Sequence, residues 1–166
     1  MPPVNPALPC TSFWNMRYLG ISDAQLLENK LENARFLTSR YDVACFQEVR
    51  ASAAVAHDCF FCHLPGRFNF YCTGPDKPGL AISVSAEFAQ RVGMPPGDES
   101  ASDNHHHVLP DGSCQGLSWV CEGRLKLILN LYLDSHSSST RIGQLKGIAW
   151  DCCLVPSAGA GSRSPC

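Results

Sequence analysis

The sequence predicts an α/β fold, and three features carry that expectation: an aromatic-rich strand over 11–19, an amphipathic helix behind it, and a continuous apolar strand over 43–49 that closes on Gln47-Glu48-Val49. Strand, helix and strand in this order place the two strands parallel in one sheet, joined by a crossover that is right-handed in nearly all proteins. Both strands then open on the same sheet edge. Asn15 in the first and Glu48 at the end of the second are therefore expected to meet, although they are far apart in sequence.

Each element has its own signals. A Pro-rich leader occupies 1–10, and the first strand follows it until Gly20 stops it. Ser22-Asp-Ala-Gln25 reads as a capping box, in which the Ser hydroxyl and the Gln side chain satisfy free amides at a helix start. Leu27, Leu31, Ala34 and Leu37 form one apolar stripe that runs to about Ser39 and suits a sheet face. The apolar character of 43–49, broken only at Gln47 and Glu48, is that of a strand buried on both faces. Residues 59–64 and 68–72 read as paired short strands around a Pro65-Gly66 turn, and 79–85 as a further strand after Gly74-Pro-Asp-Lys-Pro. The Gly, Pro, Ser, Asp and His content of 93–116 predicts a long surface loop. A hairpin is expected from 117–121 and 125–133 around Glu122-Gly123-Arg124, then a helix over 139–150 and a disordered, low-complexity tail over 151–166. Internal repeats are absent.

At 166 residues, 45% hydrophobic and 17% charged, the chain has the composition of one soluble globular unit. A formal net charge of −2 gives no basic footprint for bulk attraction of nucleic acid, so a phosphate-bearing ligand has to be held locally, by a metal and a few side chains. The apolar stretches are far shorter than a bilayer span, and the Met1-Pro-Pro-Val start lacks a basic segment followed by an apolar one. The expectation is an intracellular protein, nuclear or cytoplasmic, neither secreted nor anchored to a membrane. Ten cysteines are many for this length, but they are scattered without repeated spacing and Cys45 and Cys121 sit in or beside apolar strands. Reduced thiols are expected, with Cys152, Cys153 and Cys166 exposed and oxidisable in the tail.

Four pieces, Trp14-Asn15-Met16, Phe46-Gln47-Glu48-Val49, Gly79-Leu-Ala-Ile and Gly123-Arg-Leu-Lys-Leu-Ile-Leu-Asn-Leu-Tyr132, have the order and spacing of a known family. Over about 12–150 the chain resembles the endonuclease/exonuclease/phosphatase superfamily of metal-dependent phosphodiesterases, most in the manner of the apurinic-type endonuclease domains of non-LTR retrotransposons. The resemblance implies a two-sheet sandwich flanked by helices, a four-layer α/β/β/α fold. It implies that Glu48 binds magnesium or manganese, a hard oxygen ligand for a hard cation. Asn15 is then placed beside that metal, orienting catalytic groups or a metal-bound water, and Tyr132 contacts phosphate. DNA is the implied substrate, and neither a membrane nor a protein partner is implied. The family continues with Gly-Asp-Phe-Asn or a near variant and later Ser-Asp-His, whereas here Trp150-Asp-Cys-Cys-Leu-Val follows with no Asp-x-Asn. A partial domain over 11–150 that ends before the last strands is expected, with weak metal binding and no independent activity. Other readings keep the fold and change the substrate to RNA, a nucleotide or a phospholipid head group, or make the chain a non-catalytic or prematurely ended module.

Taken singly, each residue has a plainer role. A mid-strand Asn satisfies backbone, a Glu at a strand end is solvated, and a Tyr in an apolar strand is core with its hydroxyl at the rim. Ser102-Asp-Asn-His105 precedes the Tyr132 strand and so lies in the wrong order for the family's Ser-Asp-His. Cys59-Phe-Phe-Cys62-His63 fits the pattern of covalent haem attachment, but it sits in an aromatic, strand-like stretch without an export signal. His105-His-His107 has the composition of a transition-metal tract, and a solvated loop is the expectation.

Overall fold

A computed structural model describes residues 8–19, 22–73, 79–94, 105–109 and 111–132. All of them belong to one compact unit, Met1–Leu133, while a second, Asp134–Cys166, lies outside them. The helix expected over 139–150, the boundary at 150 and the tail therefore fall outside the described residues.

The chain enters strand β1 (Thr11–Asn15) and crosses by helix α1 (Ala24–Thr38) into β2 (Val43–Gln47). As expected, β1 and β2 pair in parallel, with Asn15 opposite Gln47. Helix α2 (Ala53–His63) leads to β3 (Arg67–Cys72), β4 (Leu80–Ser85) and a short helix α3 (Ala86–Arg91). Strands β5 (His106–Val108), β6 (Cys114–Cys121) and β7 (Arg124–Leu131) follow. They form two sheets, ordered β1-β2-β4-β3 and β5-β6-β7.

The alternation along β2 explains its burial on both faces. Ala44 and Phe46 join a core with Leu31 and Ala34 of α1 and Ala56 and Phe60 of α2. Val43 and Cys45 face the other way, into a core with Ile82, Val84, Leu117 and Trp119 between the sheets. Successive strand side chains point to opposite faces, so one strand serves both cores. Helices, first sheet and second sheet thus make stacked α, β and β layers of the expected sandwich. Phe88 of α3 closes the sheet-to-sheet core, edge-on to Trp119 at 5.3 Å between centroids. Burial pushes the Cys45 thiol up to about 12. Cys10, Cys45, Cys59, Cys62 and Cys121 are free thiols, as expected of reduced cysteines.

Side-chain amides rivet the sheets together. Asn130 of β7, fully buried, donates through Nδ2 to the carbonyls of Phe46 and Ala81 at 2.9 and 3.1 Å. Gln115 of β6 donates to Phe70 O at 3.0 Å, and Gln47 donates to Leu131 O at 2.8 Å. Arg67 binds the α1–β2 connection from below. Its guanidinium donates to the carbonyls of Thr38, Tyr41, Asp42 and Ser83 and to Ser83 Oγ. Burial draws its pKa down to about 10, so it remains charged at neutral pH.

Several local expectations are corrected. The first strand stops at Asn15 rather than 19, because Arg17 and Tyr18 take positive φ of 50° and 75°. The α1 cap is Asp23, not Ser22: its carboxylate accepts from Leu26 N at 3.0 Å, and Gln25 turns to Asn29 instead of back to the cap. Residues 59–64 lie in and just after α2 and do not form a strand. Aromatic β-propensity misleads there, since Ala56, Phe60 and Leu64 recur at helical spacing and are all buried, and Ser52 caps the start. The 93–116 segment is only partly loop, because β5 pairs with β6 and Ser113, Cys114 and Gln115 are buried. The hairpin appears as expected, its two-residue turn built from Glu122 and Gly123 with φ of 52° and 71°, as a primed turn requires. No helix among the described residues is long and apolar enough to cross a membrane.

Candidate active site

The edge where β1 and β2 end is built from strained backbone. Beyond the strands, 16–19 and 48–50 continue to pair: Met16 N donates to Gln47 O, Tyr18 N to Glu48 O and Leu19 N to Val49 O, at 2.7–2.8 Å. Among the described residues, non-glycine positive φ occurs at Arg17, Tyr18, Glu48, Arg50 and, in the distant hairpin, Glu122. Each such residue costs about 1–2 kcal/mol against a right-handed or extended conformation, and such strain concentrates at functional sites. What holds it is burial of Met16, Leu19 and Val49 beneath the two loops. Lys30 of α1 adds a clamp, donating to the carbonyls of Arg17 and Tyr18 at 2.6 and 2.7 Å. Desolvation, and then the Arg17 charge, lower the Lys30 pKa.

A third segment closes on this edge. Gly79, at φ +78°, accepts a hydrogen bond from Val49 N at 2.9 Å. A Cβ at Gly79 would lie 2.4 Å from Arg50 N, so only glycine lets the start of β4 approach the loop that carries Glu48 and Arg50.

The side chains form one connected polar row. Asn15 Nδ2 donates to Glu48 Oε1 at 2.9 Å. Asn15 Oδ1 accepts from Arg17 N at 2.9 Å, which fixes the amide: its oxygen faces backbone and its nitrogen faces Glu48. Glu48 Oε2 lies 3.7 Å from Arg50 Nη2, with side-chain exposures of 22% and 49%. The same Nη2 is 3.5 Å from the Tyr132 hydroxyl, and Tyr132 N donates to Ser113 O at 2.8 Å. Because Gln47 ties β2 to the end of β7, Tyr132 of the second sheet arrives beside Glu48 of the first. The geometry thus brings Asn15, Glu48 and Tyr132 together. Arg50 completes the row, and sequence reasoning gave it no role, as it gave none to Lys30 and did not foresee the tie from Gln47 to Leu131. Its position two residues after Glu48 is a signal only once the left-handed turn between them is known.

The donor set decides what kind of cation fits. Among the described residues no three or more His, Cys, Asp and Glu gather into a metal cage. One carboxylate with one neutral amide beside it suits a hydrated magnesium ion that keeps several waters and leans on a substrate phosphate; it does not suit a dehydrated, all-protein site.

Other candidates move away from this edge. Cys59, Cys62 and His63 lie on α2, where Cys59 packs against the core and Arg35 bonds to His63 Nδ1. The His105–His107 stretch is not a solvated loop, for all three residues are part-buried. His107 Nε2 is 2.7 Å from Ser118 Oγ and His105 Nδ1 is 2.9 Å from Ser118 O.

No protein-family model matches the chain, and no curated protein matches it. Solved structures do. A structure of TDP2 from Caenorhabditis elegans superposes with a TM-score of 0.55 at 16% identity, covering 92% of this chain and 44% of that one. Its selenomethionine form gives 0.52 at 17% identity, covering 89% and 42%. The chain therefore spans less than half the length of the solved proteins it resembles. The likeness is one of fold, and it agrees with the mixed α/β architecture of two sheets and helices described above.

Proposed function

We propose that the chain is part of a magnesium- or manganese-dependent phosphodiesterase, descended from an endonuclease acting on DNA, and that it is inactive by itself. One observation carries the reading: side chains from three separate stretches, Asn15, Glu48 with Arg50, and Tyr132, converge on a strained sheet edge where β1 and β2 end. The fold likeness and the order of the four sequence pieces support it.

In this reading Glu48 holds the divalent ion and Asn15 orients the Glu48 carboxylate through its amide nitrogen. Tyr132 offers its hydroxyl to a phosphate oxygen. The ion, when bound, would supply positive charge that stabilises the phosphoryl oxygens. Asn15, Glu48 and Tyr132 make only part of the expected constellation, and groups that act as a unit fail together, which supports trace turnover at most. DNA is kept as the substrate class because of the resemblance to retrotransposon-type endonucleases.

Fluorescence anisotropy with a short labelled DNA in magnesium tests the binding half. Weak binding that Glu48→Gln and Tyr132→Ala both abolish is expected, and binding indifferent to both substitutions contradicts the site. A supercoiled plasmid tests the catalytic half. Nicking at an ordinary enzymatic rate that Glu48→Ala removes would overturn the claim of inactivity.

A further inference from the structure

We infer that Arg50 latches the site: its guanidinium occupies Glu48 in the unliganded protein, so that metal and phosphate each bind better once the other has drawn this internal ion pair apart. The inference rests on the function proposed above and adds a coupling that neither the fold nor the sequence pieces contain.

The geometry of Arg50 is that of a latch and not of a structural tie. Its contacts to Glu48 Oε2 and to the Tyr132 hydroxyl, 3.7 and 3.5 Å, are both long for charge-assisted hydrogen bonds, which settle near 2.7–2.9 Å. Arg67 shows what a structural guanidinium looks like in the same chain, with its donors spread over four carbonyls and a hydroxyl. Arg50 is half exposed, and its remaining donors meet no acceptor among the described residues. The backbone, by contrast, is fixed. Arg50 sits at φ 42°, with Gly79 pressed against its amide and Val49 bonded to Gly79 O. A rigid base therefore carries a loosely held fork.

The chemistry follows from the charges. A guanidinium presents paired N–H groups that match two oxygens of a phosphate, and the Tyr132 hydroxyl, which accepts from Arg50, still has its own proton to donate to the same anion. While Arg50 faces Glu48, the carboxylate is partly neutralised and the fork is partly engaged. A phosphate that takes Arg50 leaves Glu48 Oε2 to a cation, and a cation that takes Glu48 leaves Arg50 to phosphate. Linkage makes the effect reciprocal: whatever factor phosphate adds to metal affinity, metal adds to phosphate affinity.

The probes are magnesium and methyl phosphate, titrated singly and together into the full chain, with amide and arginine Nε–Hε resonances as the readout. Each ligand is expected to tighten the other on the order of five-fold, the low end of ordinary coupling between sites. Magnesium alone is expected to shift the Arg50 Nε–Hε signal. In Arg50→Gln magnesium alone should bind more tightly and the mutual effect should fall, while Glu48→Gln, measured without metal, should tighten methyl phosphate. Arg50→Lys, which keeps the charge without the fork, should retain less than half of the coupling. If both ligands bind the wild type at Glu48 and Tyr132 but independently, the site stands and the latch is wrong. If coupling in Arg50→Gln equals that of the wild type, direct attraction between metal and phosphate accounts for it and the latch is again wrong. Failure of both ligands to move Asn15, Glu48 or Tyr132 removes the latch together with the proposed function.

Discussion

Substituting Gly79 by Ala tests the close approach that shapes the site. Two separable costs are expected. An L residue at φ +78° pays about 1–2 kcal/mol for the left-handed conformation. The new Cβ also meets Arg50 N at 2.4 Å and both Arg50 Cα and Val49 C at 3.2 Å, all of them backbone atoms that cannot rotate away. Relieving an overlap about 1 Å inside ordinary contact moves the Val49–Arg50 turn and weakens the bond from Val49 N to Gly79 O. Overpacking of this kind costs roughly 1–3 kcal/mol and the lost hydrogen bond about 1 kcal/mol, so with the conformational cost a total of roughly 3–6 kcal/mol is expected. Gly66→Ala and Gly123→Ala are the controls, because both glycines have φ near +70° with nothing within 4 Å of the new Cβ, and only the conformational cost of about 1–2 kcal/mol applies. Urea denaturation followed by tryptophan fluorescence measures all three. Amide spectra of Gly79→Ala should in addition show displaced Asn15 and Tyr132 signals. Equal destabilisation at the three glycines, with the site signals unmoved, refutes the reasoning.

Asn130→Asp replaces an amide nitrogen facing the carbonyls of Phe46 and Ala81 by a carboxylate oxygen in a fully buried place; a loss of roughly 3 kcal/mol or more is expected, and a loss below 1 kcal/mol in denaturant melts contradicts the riveting role. Arg67→Met strips donors from four carbonyls and Ser83 Oγ, so destabilisation of roughly 3–5 kcal/mol is expected from the same melts, and a neutral result shows that those acceptors find water. For His107, burial and then the neighbouring His105 hold the pKa below the ordinary 6.5. The unfolded chain then takes a proton that the folded chain refuses, so this stabilisation is whole above about pH 6.5 and is lost as the pH falls through the folded value. The urea midpoint should drop between about pH 7.5 and 5.5, and less steeply in His107→Gln; an equal slope in both proteins removes His107 as the cause.

The first sheet's centre was legible because its signals are redundant. The stripe Leu27, Leu31, Ala34 and Leu37, the apolar run from Val43 and the order strand, helix, strand all point to one arrangement, and the parallel β1–β2 pair follows from it. Helix α2 was hidden because Cys59-Phe-Phe-Cys has strand composition, whereas the stripe that decides the matter, Ala56, Phe60 and Leu64, extends beyond the aromatic cluster on both sides. Strand β5 was hidden for the opposite reason. Its two histidines carry little propensity, and the strand's pairing is supplied by β6, through contacts no local pattern reveals. At the site, Asn15, Glu48 and Tyr132 could be named from motif order, but Arg50 could not. Its approach to Glu48 depends on left-handed backbone at residues 48 and 50 and on Gly79 packed against it, which are tertiary facts.

Magnesium titration of the full chain, followed by amide NMR beside the Glu48→Gln variant, tests the proposed site most directly. The expected result is binding in the millimolar range or weaker, since one carboxylate holds a hydrated ion only loosely. Shifts should centre on Asn15, Glu48, Arg50 and Tyr132 in the wild type and vanish in the variant. Identical shifts in the two proteins would show that Glu48 is not the ligand and that the convergence at this sheet edge is not a metal site.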